Sequence, residues 1–129
     1  MRSTTDLADV TGELVAREPL FHRREWGTTR ADFERATSPD YWEVGASGAR
    51  YDRETVWSVL AERYASGEPD AWESGTWSVS DVECRRLADE VYLLTYRLRQ
   101  GDRPTRRATL WERHGGGWRA VYHQGTVET

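Results

Sequence analysis

Two side chains of this sequence, Glu43 and His123, suit proton transfer. Glu43 stands between Trp42 and Val44 in an alternating stretch. Enclosed in a hollow, such a carboxylate has its pKa raised by burial and serves as a general base. The same group serves equally well as a structural acceptor for an arginine or for His123, because buried charges are paired. An imidazole at His123 shuttles a proton near neutral pH, or it is a satisfied core or interface histidine. Gln124 and Thr126 offer hydrogen bonds that orient a ligand or tie down the last strand. Trp26, Trp42, Tyr51, Trp57 and Trp111 suit the wall of an apolar pocket and equally suit a core. Thr109, two residues before Trp111, joins Gln124 as a polar ligand-binding candidate.

Other chemistry is poorly represented. Three scattered His and one Cys give no metal-ligand spacing, so neither a metal nor another cofactor is expected. No Ser occupies a nucleophile elbow. The glycines at 115–117 have no following helix or Lys, so they form no phosphate loop. His22, Arg23 and Arg24 read as a surface cluster, and His114 as a solvated hairpin tip.

The elements that must position these groups follow from spacing. Leu7, Val10 and Leu14 fall on one helical face, in a helix starting near Ser3–Asp6 and fading near Glu18–Pro19. Residues 28–36 form a short helix with Thr29 as cap and Asp32 three residues later, and Ser38–Pro39 stops it. Tyr41 to Val44 alternate like a strand, and 45–48 form a turn. Asp52 caps a helix with Val56, Trp57, Leu60 and Tyr64 on its apolar face, ended by Gly67 and Pro69. Strands then follow over Trp77–Leu87, 90–99, 105–114 and 118–126. Segregated helices and strands mean α+β, with helices packed on one face of a curved antiparallel sheet. Phe21 to Thr28 have no placement.

Gly115 and Gly116 suit the two centre positions of a tight hairpin. In that register Trp111 faces Ala120 and Thr109 faces Tyr122. A loop using all three glycines slips the pairing by one and brings His123 to the face of Thr109 and Trp111. Both registers remain open, and both leave two apolar-rich faces. One face must meet the helices, and the other suits a second subunit.

Bulk properties narrow the class. A chain of 129 residues suits one core, so 1–129 is read as a single domain. A net charge of -4 argues against a nucleic-acid partner, and all 18 basic residues are Arg. Cys84 is the only cysteine, which excludes an internal disulfide. No apolar run has the length of a membrane span or the character of a signal peptide, so a cytoplasmic location without membrane partners is expected.

Two stretches resemble a known family. Residues 40–60, with Asp40, Trp42, Glu43, Gly45, Ser47 and Gly48, are similar to its acidic-aromatic strand and glycine turn. Residues 106–126, with Arg107, Thr109, Leu110, Trp111, Trp118, His123, Gln124 and Thr126, resemble its final hairpin. The family is the nuclear-transport-factor-two-like superfamily, which includes the SnoaL-like and ketosteroid-isomerase-like proteins, in its domain-of-unknown-function branch numbered 4440. The resemblance runs from about Leu14 to Thr126. It implies a cone-shaped, cystatin-like α+β barrel with N-terminal helices on the concave face of the sheet, a pocket inside, and a homodimer through the sheets. Three functions fit. The first is a small-molecule-binding protein with an enclosed pocket. The second is an isomerase, cyclase or dehydratase using Glu43 or His123. The third is an interaction module using the aromatic sheet face. Fold alone does not choose among them.

Overall fold

A computed structural model describes residues 6–67 and 75–129. The chain opens with α1 (Leu7–Val15), where Asp6 accepts from the Asp9 amide and Val10 and Leu14 are fully buried. Leu7, expected on the same apolar face, is instead exposed at the first position of the helix. Ser3 lies outside the described residues. A single 3-10 turn (Arg24–Trp26) occupies the stretch left unplaced by the sequence. The next helix, α2 (Arg30–Ala36), begins with a complete capping box between Thr29 and Asp32.

Strand β1 (Thr37–Val44) follows α2 without a loop. Ser38 and Pro39 therefore lie inside the strand rather than before it. Proline is tolerated there because the pairing of β1 skips between Thr37 and Trp42, where no ladder donor is needed. A turn leads to the three-residue β2 (Arg50–Asp52), which periodicity does not reveal. Helix α3 (Arg53–Ala65) is capped by Asp52, which accepts from the Thr55 amide at 2.8 Å, and it buries Val56 and Leu60. Gly67 follows its end, and Pro69 lies outside the described residues.

Four long strands close the fold: β3 (Trp77–Ala88), β4 (Val91–Gln100), β5 (Arg103–His114) and β6 (Gly117–Val127). The sheet order is β2-β1-β6-β5-β4-β3. Neighbours run antiparallel except β1 and β6, which are parallel. The fold is α+β, with the helices on the inner face of a curved sheet. Tyr92, Leu94, Tyr96 and Leu98 alternate inward along β4, as a period of two requires. They meet Val10, Leu14, Phe33, Val56 and Leu60 from the helices in one core.

The closing hairpin uses both registers. From its Gly115–Gly116 turn to Trp111↔Ala120 it follows the two-residue-turn pairing. Between Leu110 and Trp111 the register shifts, leaving Val121 as the extra residue of a β-bulge. Beyond it Thr109 pairs with His123 and Arg107 with Gly125.

Candidate functional site

The bulge decides what the sheet presents inward. It turns His123 into the interior, where it is buried beside Thr109, itself fully enclosed. His123 Nδ1 lies 2.7 Å from Thr109 Oγ1, and Nε2 lies 3.4 Å from an Arg107 guanidinium nitrogen. A guanidinium only donates, so Nε2 is the acceptor and Nδ1 carries the proton toward Thr109. Burial first, then the positive charges of Arg107 and His22, lower the imidazole pKa to about 3. Arg107 has room because position 125 is glycine; a Cβ there would stand 2.8 Å from the guanidinium carbon. Its Nε donates to Thr105 Oγ1 at 3.0 Å, and burial lowers its own pKa.

Glu18, which the sequence reading passes over as a helix end, is fully buried at the centre of this network. Its Oε1 accepts from the Leu20 amide at 2.9 Å and from the Tyr96 hydroxyl at 2.6 Å. Its Oε2 accepts from Trp111 Nε1 at 3.1 Å, and the Thr109 hydroxyl close by also favours the charged carboxylate. Burial raises the Glu18 pKa against the pull of these donors. No local pattern signals this role, since Tyr96 and Trp111 lie 78 and 93 residues away.

Glu43 stands opposite His123 across the parallel pair and opposite Tyr51 on β2. It is partly buried and accepts from the Tyr41 hydroxyl at 2.7 Å. Burial raises its pKa, while the Tyr41 hydrogen bond, Arg107 and Arg63 oppose the shift. The Phe21 ring lies 6.0 Å from Tyr41 and 5.3 Å from Phe33. The Phe21 backbone has a positive φ of 68°, and its carbonyl accepts from Arg63 and from the Tyr64 hydroxyl. A bulky residue in that region is strained and must be held by its surroundings.

The structure does not bring all the candidate residues together. Glu43 and His123 point inward, so their neighbours Trp42 and Gln124 point to the outer face. Trp42 lies 4.5 Å from the Tyr122 ring there, with Arg50 over it. Gln124 is exposed, accepts from the Tyr122 hydroxyl, and borders an outer hollow of about 310 Å3. Trp57 packs on Phe33 at 5.5 Å. Trp111 is buried and is held by Glu18.

Trp26 lies elsewhere again, 45% exposed, with its Nε1 donating to the Ala16 carbonyl at 3.0 Å. It stands over a hollow of about 780 Å3 between the 3-10 turn, α2 and the tip of the β5–β6 hairpin. Leu20, Phe21, Phe33, Trp111 and Trp118 line the hollow. Glu43 and His123 do not. Phe21, whose ring also meets Tyr41, stands between the hollow and the Glu43 cluster. Among the described residues, no group of three His, Cys, Asp or Glu could hold a metal, and no helix is long and apolar enough to cross a membrane.

No protein-family model matches the chain, and no curated protein does. Solved structures do match. A protein of unknown function from Pectobacterium atrosepticum, of the DUF3225 family, is similar at a TM-score of 0.68 and 17% identity, over 95% of this chain and 91% of that one. An NTF-2 like protein of unknown function from Silicibacter pomeroyi gives 0.65 and 18%, over 94% and 98%. An uncharacterised protein with a cystatin-like fold from Caulobacter vibrioides gives 0.65 and 16%, over 92% and 89%. At identities this low the likeness establishes the fold, and the fold is the NTF2-like, cystatin-like α+β cone.

Proposed function

We propose that this chain is a small-molecule-binding protein of the 4440 branch, acting in the cytoplasm as a homodimer, with its ligand in the hollow beneath Trp26. The observation that carries the reading is the hollow itself. Its volume of about 780 Å3 falls within the few hundred to about 1,000 Å3 typical of ligand pockets, and its lining is largely aromatic and apolar. Trp26 is fixed at the mouth by its bond to Ala16, so it offers a rigid aromatic surface at little entropic cost.

Proton transfer at the Glu43 cluster is the weaker reading. His123 is held neutral with both nitrogens engaged, so a proton would have to move through Glu43 alone. Glu43 does not line the hollow.

The dimer reading rests on the outer face. Register aligns Trp42 with Tyr122, Tyr122 with Leu110, and Leu110 with Leu93. All four are only partly buried, which leaves an apolar row across four strands. Such a row suits a second copy better than water.

Native mass spectrometry of the protein purified from its own host tests both parts. The expected species is a dimer carrying a retained small molecule, and Trp26→Ala loses that molecule while keeping the dimer mass. A monomer overturns the dimer, and retention undiminished in Trp26→Ala overturns the placement of the ligand.

A further inference from the structure

The lining of the hollow beneath Trp26 carries four arginines against two acids, in a chain whose net charge is -4. Arg17, Arg23, Arg35 and Arg119 all line it. The two acids lining it, Asp32 and Glu34, are already engaged. Asp32 accepts from the Thr29 amide and hydroxyl and pairs with Arg35, and Glu34 pairs with Arg30 at 3.3 Å. Arg119 is held by Glu112, and Arg23 has Glu25 at 3.7 Å.

Arg17 differs from the other three. Among the described residues, no carboxylate lies within 4 Å of its guanidinium. One of its nitrogens donates to the Glu13 carbonyl at 2.8 Å, and its guanidinium carbon lies 4.3 Å from the centre of the Trp26 ring. These two contacts fix its orientation and leave other donors for a ligand. A guanidinium presents its donors in a planar fork that matches a carboxylate. Partial burial strips water from Arg17; of the charges nearby, Glu13 attracts it and Arg113 repels it, and burial outweighs both, so an arriving anion relieves the part of that cost Glu13 leaves. The floor below is apolar, with Leu20, Phe33, Trp111 and Trp118 all buried.

Resting on the reading that the hollow is the ligand site, we propose that it takes an apolar monocarboxylate, with the ring or acyl body on the aromatic floor and the carboxylate on Arg17. One ionically unpaired guanidinium suits a single negative charge. A dianionic phosphate would bring a second charge toward Asp32 and Glu34.

Calorimetric titration of the full chain with 2-naphthoate and with its neutral counterpart 2-naphthalenemethanol tests this. Naphthoate is expected to bind about tenfold more tightly than the alcohol, a preference that shrinks as salt is raised. Arg17→Gln is expected to lose that tenfold while the alcohol still binds as in the wild type, which also shows that the variant is folded. Arg17→Lys, which keeps the charge without the fork, is expected to lie between. Equal affinities for the two probes, or a preference that survives Arg17→Gln, overturn the carboxylate while leaving the hollow as a site. Failure of both probes to bind the wild type overturns the hollow as a ligand site, and the proposal falls with it.

Discussion

Glu18 has donors aimed at both of its carboxylate oxygens, from the Leu20 amide, Tyr96 and Trp111. Glu18→Gln replaces one acceptor oxygen with a donor and sets it against an indole N–H or a phenol. The expected loss is about 2–3 kcal/mol, read as a lower urea midpoint at unchanged slope. Glu18→Ala strands all the donors and costs at least as much. A midpoint at or above the wild-type value for Glu18→Gln would show that the network adds nothing to stability. At this scale the sequence was legible where chemistry and period met. Glu43 and His123 stand out as residue types, and they do come to face each other. Glu18 was illegible because burial and partners define it, and those come from strands far along the chain. The aromatic candidates scatter for a simpler reason: residue type says that a Trp is buried or lines a wall, but only strand parity says which wall.

Elements announced themselves where a cap or a period did. The capping box of α2, the Asp52 cap of α3 and the alternation of β4 were all readable. Strand β2 was not, since three residues carry no pattern, and the parallel β1–β6 contact is a product of chain closure that no local stretch encodes. The hairpin is the instructive case. Each of its two possible registers is compatible with the glycines, and the bulge at Val121 uses one on each side. Without that extra residue, a tight turn at Gly115–Gly116 would carry His123 to the outer face. Helix α2 forms one wall of the hollow and depends on its cap, being only seven residues long. Thr29→Ala removes the hydroxyl that accepts from the Asp32 amide. The expected cost is about 1 kcal/mol by urea denaturation. An unchanged midpoint would mean that packing of Phe33 alone holds the helix.

Over the whole molecule, the buried titratable groups pull stability in opposite directions as pH falls. His123 has a folded pKa of about 3 against an ordinary value of 6.5. Below pH 6.5 the unfolded chain therefore binds a proton that the folded chain refuses, and stability is lost as pH drops toward 3. Glu18 and Glu43 behave oppositely, because burial raises their folded pKa values above the ordinary 4.5. In the window just above 4.5 the folded chain binds protons that the unfolded chain has released, so acidification there adds stability and a rise in pH removes it. The wild-type pH profile is the sum of these, and a single variant separates them. His123→Gln keeps a polar side chain beside Thr109 but has no titrating group. At pH 7 it is expected to be less stable than the wild type, having lost the imidazole's packing and hydrogen bonds. Lowering the pH to 4 should narrow that difference by up to ~3 kcal/mol, since only the wild type must keep an imidazole neutral against the proton. Urea denaturation of both proteins at the two pH values measures it. A difference that stays constant would mean that His123 takes up its proton in the folded state as readily as in the unfolded one, and the interior would then be far wetter than the Thr109 and Arg107 contacts imply.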